Sequence, residues 1–407
     1  MFGPILLLLA QASVASPASA DGILVIGHRA EKELAACLAQ NCPPAEEIEA
    51  SLQASVEQFA DGRYVDARHT LQSAIRRNER YAGELPGPVS SLYATLATVA
   101  EHEGDTRLWL ASERNNVLVL RRHVGEGNLA TLREELSFGD SMVELGSPLA
   151  AEKAYARIEE RAIKSGQPVI AAHAAFRRGW LALMRDHFSE AERYANEAVA
   201  LAGANSRAME DLREILRVRI AVRKGDAGAV DLLATRLRRS ATQRPQLLFA
   251  PPVEDINLAP GDAMNTRVNP WYDPGIRFAD VGYWIRPNGR TAEAEVLRTS
   301  GLGQWAPGIL RQVRDRRYVP FDVGRGDPGL YRIDRFTVRA GKGEVAGTRI
   351  QQRTGNLTIH VIDLTETKAM SDARRRQTAE GSKKATDADE TIRTSGQGGE
   401  LMNKNDR

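Results

Sequence analysis

Residues 279–320 read ADVGYWIRPNGRTAEAEVLRTSGLGQWAPGILRQVRDRRYVP, and this stretch decides what the C-terminal part of the chain becomes. Val281, Tyr283 and Ile285 alternate with Gly282 and Trp284, the period of a strand with one buried face. Pro287-Asn288-Gly289-Arg290 follows, and Asn-Gly tolerates the positive φ of a tight turn, so the chain reverses here. Ala292, Ala294, Val296 and Leu297 carry the return strand, bounded by Thr299-Ser300-Gly301. Trp305, Ile309, Leu310 and Val313 then fall at helical spacing, with Pro307 in the first turn, where a missing N–H costs little. Arg311, Arg314, Arg316 and Arg317 crowd the end of that helix and complement its dipole, which explains them better than an anion site. Tyr318-Val319-Pro320-Phe321 resumes extended chain, and Leu330 to Val338 alternates once more. The unit is a ββαβ module.

These residues resemble the C-terminal domain of TonB-family energy transducers. The matching positions are Asn288 and Gly289 in the hairpin, Ser300 and Gly301 before the helix, Leu310 within it, and Tyr318 and Pro320 after it. The likeness covers roughly residues 275–365. It implies a periplasmic α+β domain that pairs an exposed sheet edge with an extended peptide, such as one from a TonB-dependent outer-membrane receptor, through main-chain groups. The run from Asn356 to Leu364 competes for the same edge.

The N-terminus fits an exported chain. Pro4 to Ala10 is a short apolar core, and Ala18-Ser19-Ala20 before Asp21 has the form of a signal-peptidase site, so cleavage is expected between Ala20 and Asp21. The apolar run falls short of the ~20 residues that span a membrane, so no direct membrane insertion is expected after cleavage. Ile23 to Arg29 resembles the Ile-Val-Val-Thr-Gly-x-Arg stretch near the mature end of TonB-dependent receptors, with Ile26 where threonine is usual; strand addition and a loose leader are its two readings. Cys37 and Cys42, the only cysteines, are candidates for a disulfide in an oxidising compartment, with two free thiols as the alternative. Zinc needs more ligands than this pair provides, and the histidines are scattered singly, so neither metal nor cofactor is expected.

Between Pro43 and Ala241 the pattern is almost wholly helical. Phe59, Ala67, Leu71 and Ala74 set a frame that returns at Phe188, Ala191, Ala195 and Ala198, small residues letting paired helices approach. This resembles the tetratricopeptide repeat and predicts nine or ten helices stacked as a solenoid over residues 45–241. Trp109 and Trp180 read as core. The doublets Arg76-Arg77, Arg121-Arg122 and Arg177-Arg178 read as solvated helix faces, with a ligand groove as the alternative.

Six prolines punctuate the segment up to Pro274, a linker over 242–274 whose Leu247, Leu248 and Phe249 predict packing against the last helices. Residues 366–407 are polar and predicted disordered. The fold class is therefore an all-α helical-repeat solenoid followed by a small α+β domain. A net charge of +2 points to neither nucleic acid nor anionic membrane. No phosphate loop, nucleophile elbow or zincin motif is present, and Gly324 to Gly329 reads as a turn. The expected function is a non-enzymatic periplasmic adaptor that binds proteins or extended peptides. A scaffold or assembly protein unrelated to transport, and a transducer with an uncleaved anchor, are the alternatives.

Overall fold

The computed structural model describes residues 29–203, 206–226, 228–237, 239–240, 245–253, 256, 275–303, 305–324, 326–344 and 351–365. The expected cleavage site at Ala20 and Asp21, the leader run up to residue 28, most of the Pro-rich segment and the polar tail lie outside the described residues.

The first helix, α1 (Arg29–Ala39), precedes the predicted start of the solenoid and buries no residue. It is held by its end: the Glu57 carboxylate accepts the backbone N–H groups of Arg29 and Glu31 at 3.0 and 3.2 Å, filling donors that a helix start leaves orphaned. A Cys37–Cys42 disulfide closes the turn into the next helix.

Five hairpins follow: α2 (Pro44–Ala60) with α3 (Tyr64–Asn78), α4 (Pro86–Glu103) with α5 (Thr106–Val124), α6 (Leu129–Glu144) with α7 (Pro148–Lys164), α8 (Pro168–Met184) with α9 (Phe188–Ala202), and α10 (Arg207–Arg223) with α11 (Ala229–Arg236). Pro44, Pro86, Pro148 and Pro168 occupy first-turn positions, where proline is pre-shaped for a helix start. Hairpin starts recur about every 40 residues, longer than the roughly 34 of a tetratricopeptide repeat, so the helical-repeat build holds without that family's period. Ala191, Ala195 and Ala198 are buried where α9 meets α8, as their small size requires.

The arginine doublets are only partly solvated. Arg177 is buried and grips Asp140 of α6 from α8 in a two-pronged bond at 2.8 Å. Arg178 reaches Glu159 of α7 at 2.9 Å, while Arg121 and Arg161 converge on buried Glu135. Arg77 likewise pairs with Glu47 of α2, so each doublet supplies an inter-helix tie, and Arg177-Arg178 supplies two, a role that helical spacing alone does not reveal.

The remainder is β1 (Arg239–Ser240), β2 (Leu247–Phe249), β3 (Arg277–Ile285), β4 (Thr291–Ser300), α12 (Ala306–Arg314), β5 (Arg317–Tyr318), β6 (Phe321–Asp322), β7 (Leu330–Glu344) and β8 (Gln351–Asp363). The antiparallel sheet runs β4-β3-β7-β8. One face, with Val281, Tyr283, Ile285, Phe336 and Val338, packs on Ile309 and Val313 of α12. Sequence alternation predicts solvent on the other face, and the structure corrects this: Phe278 and Leu364 join Ile48, Leu52, Phe59 and Leu92 in the core of the first two hairpins. The segment after α11 docks as well. β2 pairs with β5, β1 pairs with β6, and Leu248 packs with Ile215, Leu233 and Val319. The α+β module therefore touches the first two hairpins and the last, and all of it belongs to one compact unit ending at Thr365.

Arg316 corrects a second expectation. It turns away from the helix dipole into the module's core, 2.6 Å from buried Asp334, whose Oδ2 also accepts from the Tyr283 hydroxyl at 2.8 Å. Burial pushes the Asp334 carboxyl upward, but Arg332 and Arg316 outweigh it and hold the group below the ordinary aspartate range.

Removing one member of a buried pair strands the other charge. Asp334→Ala is expected to cost about 3–5 kcal/mol in urea unfolding, with Asp334→Asn intermediate. A loss within 1 kcal/mol of wild type would show that Arg316 finds solvent instead.

Candidate functional site

The largest set of chemically distinctive side chains lies where the sheet meets α2 and α4. Helix α2 ends with the carbonyls of Phe59 and Ala60 facing β3 and β7. Arg335, fully buried, donates to both and grips Asp280 at 2.6 and 2.8 Å from Nε and Nη2. Its guanidinium lies 4.2 Å from the centre of the Phe278 ring. Arg298 joins from β4, donating to Ala60 and to Asp280 at 2.8 Å. The end of α4 repeats the arrangement. Arg339 donates to the Glu101 carbonyl, Arg353 to that of Glu103 at 2.6 Å, and the Lys342 backbone N–H to that of Gly104 at 2.8 Å. Gly104 has φ +74°, and a Cβ there would stand 2.8 Å from the Ala340 carbonyl, so this approach requires glycine. Cations at helix C-termini satisfy orphan carbonyls and oppose the negative end of the dipole.

Beside Arg339 sit Glu101, Glu144 and His360, whose potential ligand atoms lie within 4.8 Å of one another. The sequence gives no hint of this grouping, because its members come from α4, α6 and β8. Arg339 can only donate, so His360 Nε2 accepts at 2.8 Å and Nδ1 carries the proton that Glu101 receives at 2.8 Å. Burial lifts the Glu101 carboxyl, but His360, His102 and Arg339 overcome it and bring the group below its usual range. Glu144 shifts the other way, raised well above that range by burial and then by the charges of Glu101 and Asp140. Both ring nitrogens of His360 are engaged and a guanidinium adjoins it, so the arrangement suits a proton held between carboxylates better than a metal ion.

The residues shared with the transducer resemblance fall into two groups. The hairpin tip at Asn288 and Gly289 docks on Tyr318 and Pro320: the Gly289 carbonyl accepts the Tyr318 N–H at 2.8 Å, and the Pro287 carbonyl accepts that of Phe321 at 3.0 Å. Gly289 has φ +77°, and a Cβ on it would meet the Tyr318 carbonyl oxygen at 2.1 Å. Ser300 is exposed at the end of β4, Gly301 bridges Phe278, and Leu310 packs partly against the module core. Cys37 and Cys42 lie on α1 and the turn after it, apart from both groups. The docked tip holds the module together.

Sheet edges are treated unequally. β8 covers the outer side of β7, and the Asn356–Leu364 run supplies most of its length. Among the described residues no strand covers β4 beyond Arg290, which bridges Arg317. β4 has two register shifts against β3, a positive φ at Glu293 and exposed Glu293 and Glu295. Bulges and charges of this kind are how an edge resists further strand pairing.

Exposed large apolar side chains gather elsewhere. Leu129 opens α6, Ile163 lies in the last turn of α7 and Val169 near the start of α8, all exposed. Gly127 and Ser165 are in close contact, which brings the α5–α6 and α7–α8 turns to the same edge of the solenoid.

No family model matches this chain, and no curated protein does. Among solved structures, the crystal structure of BtubC (BKLC) from P. vanneervenii aligns with a TM-score of 0.41 and 13% identity, over 51% of this chain and 84% of that one. A likeness that loose carries no argument about activity. The resemblance to TonB-family domains is corrected: no such family model matches this chain. The periplasmic placement, drawn from that family together with the apolar N-terminus and the cysteine pair, is corrected with it, since no family model supports an exported transducer.

The interface also predicts a pH response. His102 is buried between Phe59 and Tyr64, with Nδ1 2.8 Å from Thr337 Oγ1, and burial first, then the cations Arg339 and Arg335 and the neighbouring His360, bring its pKa down to about 3 against the opposing charge of Glu101. Its folded pKa lies below its unfolded value near 6.5, so its contribution is complete above that pH and is lost as pH falls toward 3. At pH 5 the loss is about 2 kcal/mol. His102→Gln, which does not titrate, is expected to roughly halve the fall in urea midpoint between pH 6.5 and 5, leaving the similar drop from half-buried His173, whose pKa is lowered to about 4. An unchanged slope contradicts this assignment.

Proposed function

We propose that this chain is a non-enzymatic protein-binding scaffold. In it the α+β module braces the helical solenoid, and the central hairpins meet a partner protein. The observation that carries this reading is the exposed apolar edge formed by Leu129, Ile163 and Val169 on the stretch between the two braced ends. Soluble surfaces rarely keep aliphatic side chains grouped at one edge without a use for them.

The chemistry of the interior supports a structural rather than catalytic role. Asp280 is bound by Arg335, Asp334 by Arg316 and Arg332, Asp140 by Arg177 and Glu101 by His360. Each of these carboxylates is committed to a tie between elements. Strand addition at β4 is disfavoured by its bulges and glutamates, so the helical surface is the better candidate for recognition.

A photo-crosslinking side chain at position 163 or 169 is expected to form one discrete adduct in cells, and the same group at exposed Val65 of α3 is not. Ile163→Asp with Val169→Asp is expected to abolish association while leaving thermal unfolding within about 0.5 kcal/mol, as befits surface sites. Adducts of equal yield at position 65, or undiminished association in the double variant, would sink the edge as the contact surface.

A further inference from the structure

The arginines that tie helices together in the solenoid each have a carboxylate: Arg121 and Arg161 share Glu135, Arg177 has Asp140 and Arg178 has Glu159, and at the surface Arg223 has Asp186. Arg219 of α10 is different. It is half-buried and, among the described residues, forms no ion pair; its Nε is shielded from water and has no hydrogen-bond acceptor. Burial alone, with no carboxylate to offset it, lowers its pKa to about 10.

Its neighbours sharpen the point. The guanidinium carbon lies 5.5 Å from the centre of the Trp180 ring and 5.8 Å from that of Phe249 in β2. Trp180 is only 8% exposed, and its indole Nε1 is likewise buried without an acceptor. Two buried donors without an acceptor among the described residues therefore lie in one region, where α8, α10 and β2 meet. Interior donors are almost always satisfied, and an unpaired desolvated cation is costlier still. The positions of Trp180 and Arg219 also correspond to the residue types that dominate binding hot spots.

We infer that Trp180, Arg219 and Phe249 form a recognition site for a carboxylate carried by an acidic segment of a partner protein. A carboxylate has an oxygen for the guanidinium and another for the indole N–H, and aromatic walls accept the methylenes that bear it. A single cation matches a monoanion; a phosphate group, with nearly two charges, calls for more. This assignment rests on the reading of the chain as a protein-binding scaffold and names the chemistry of one contact. It places that contact at the last hairpins, apart from the apolar edge.

The test uses the full chain labelled with ¹⁵N-tryptophan, with the Trp180 indole resonance identified through Trp180→Phe. C-terminally amidated hexaglutamate is expected to shift that resonance saturably, and hexaglutamine is not. A free-acid hexa-alanine peptide tests whether a chain terminus serves as well as a side chain, and binding by either peptide supports the site. Arg219→Gln should weaken binding by at least about 10-fold, the usual scale for a lost charge-assisted bond. Arg219→Met should raise the melting temperature while abolishing binding, because it removes a charge that pairs with no carboxylate among the described residues. A Trp180 signal unmoved by either carboxylate peptide, moved equally in Arg219→Gln, or saturated at lower concentration by inorganic phosphate would overturn the assignment. So would a lower melting temperature for Arg219→Met. Because the readout is the Trp180 resonance, these results are independent of whether the Leu129–Ile163–Val169 edge captures a partner.

Discussion

A helix that ends against a sheet must find donors for its last carbonyls, and here the sheet supplies them as arginines. Arg335 and Arg298 close α2, and Arg339 and Arg353 close α4. Each guanidinium satisfies carbonyls that would otherwise be buried without partners, and its charge lies at the negative end of a helix dipole. Asp280 accepts from both Arg335 and Arg298, which fixes their forks. Without these caps the sheet would press polar carbonyls against Phe278 and Thr337, and the first two hairpins would have no closed end.

That constraint explains how the rest is arranged. One sheet face takes α12 and an apolar filling, while the other is polar at its centre because it must bond to helix ends. The module then reaches the far end of the solenoid through β2 and β5, where Leu248 and Val319 pack beside Ile215. The hairpins between the two contacts depend on one another, through buried alanines and through ties such as Arg177 to Asp140. The bracing leaves open the edge at Ile163 and Val169, and where β2 docks it leaves the donors at Trp180 and Arg219 without an acceptor among the described residues.

Residues 279–320 were legible because their pattern is local. Alternation at Val281, Tyr283 and Ile285, the Asn288-Gly289 turn and the helical spacing from Trp305 each act within a few positions, and the helical frame at Phe188 to Ala198 is of the same kind. What was not legible depends on partners far along the chain. Arg335 lies in an alternating run with nothing local to mark it, yet it bonds to carbonyls 276 and 275 positions away. Arg316 reads as a dipole cap until Asp334 is brought beneath it. Helix α1 buries none of its residues and is held at its first turn by the Glu57 carboxylate of α2, and the grouping of Glu101, Glu144 and His360 exists only after three elements meet. The family likeness failed for a related reason: turn and strand signals at Asn288, Gly289, Tyr318 and Pro320 answer local needs of a docked hairpin tip that unrelated folds share.

The central claim is that helix caps weld the sheet and the first two hairpins into one cooperative body. Native-state hydrogen exchange across a urea series, resolved by segment, tests it directly. The account predicts that amides of α2, α4, β3 and β7 merge into a single opening with one free energy and one urea dependence. Amides of β3 and β7 that stay protected after α2 and α4 have exchanged, with a distinct urea dependence, would contradict it and make the module an independent domain.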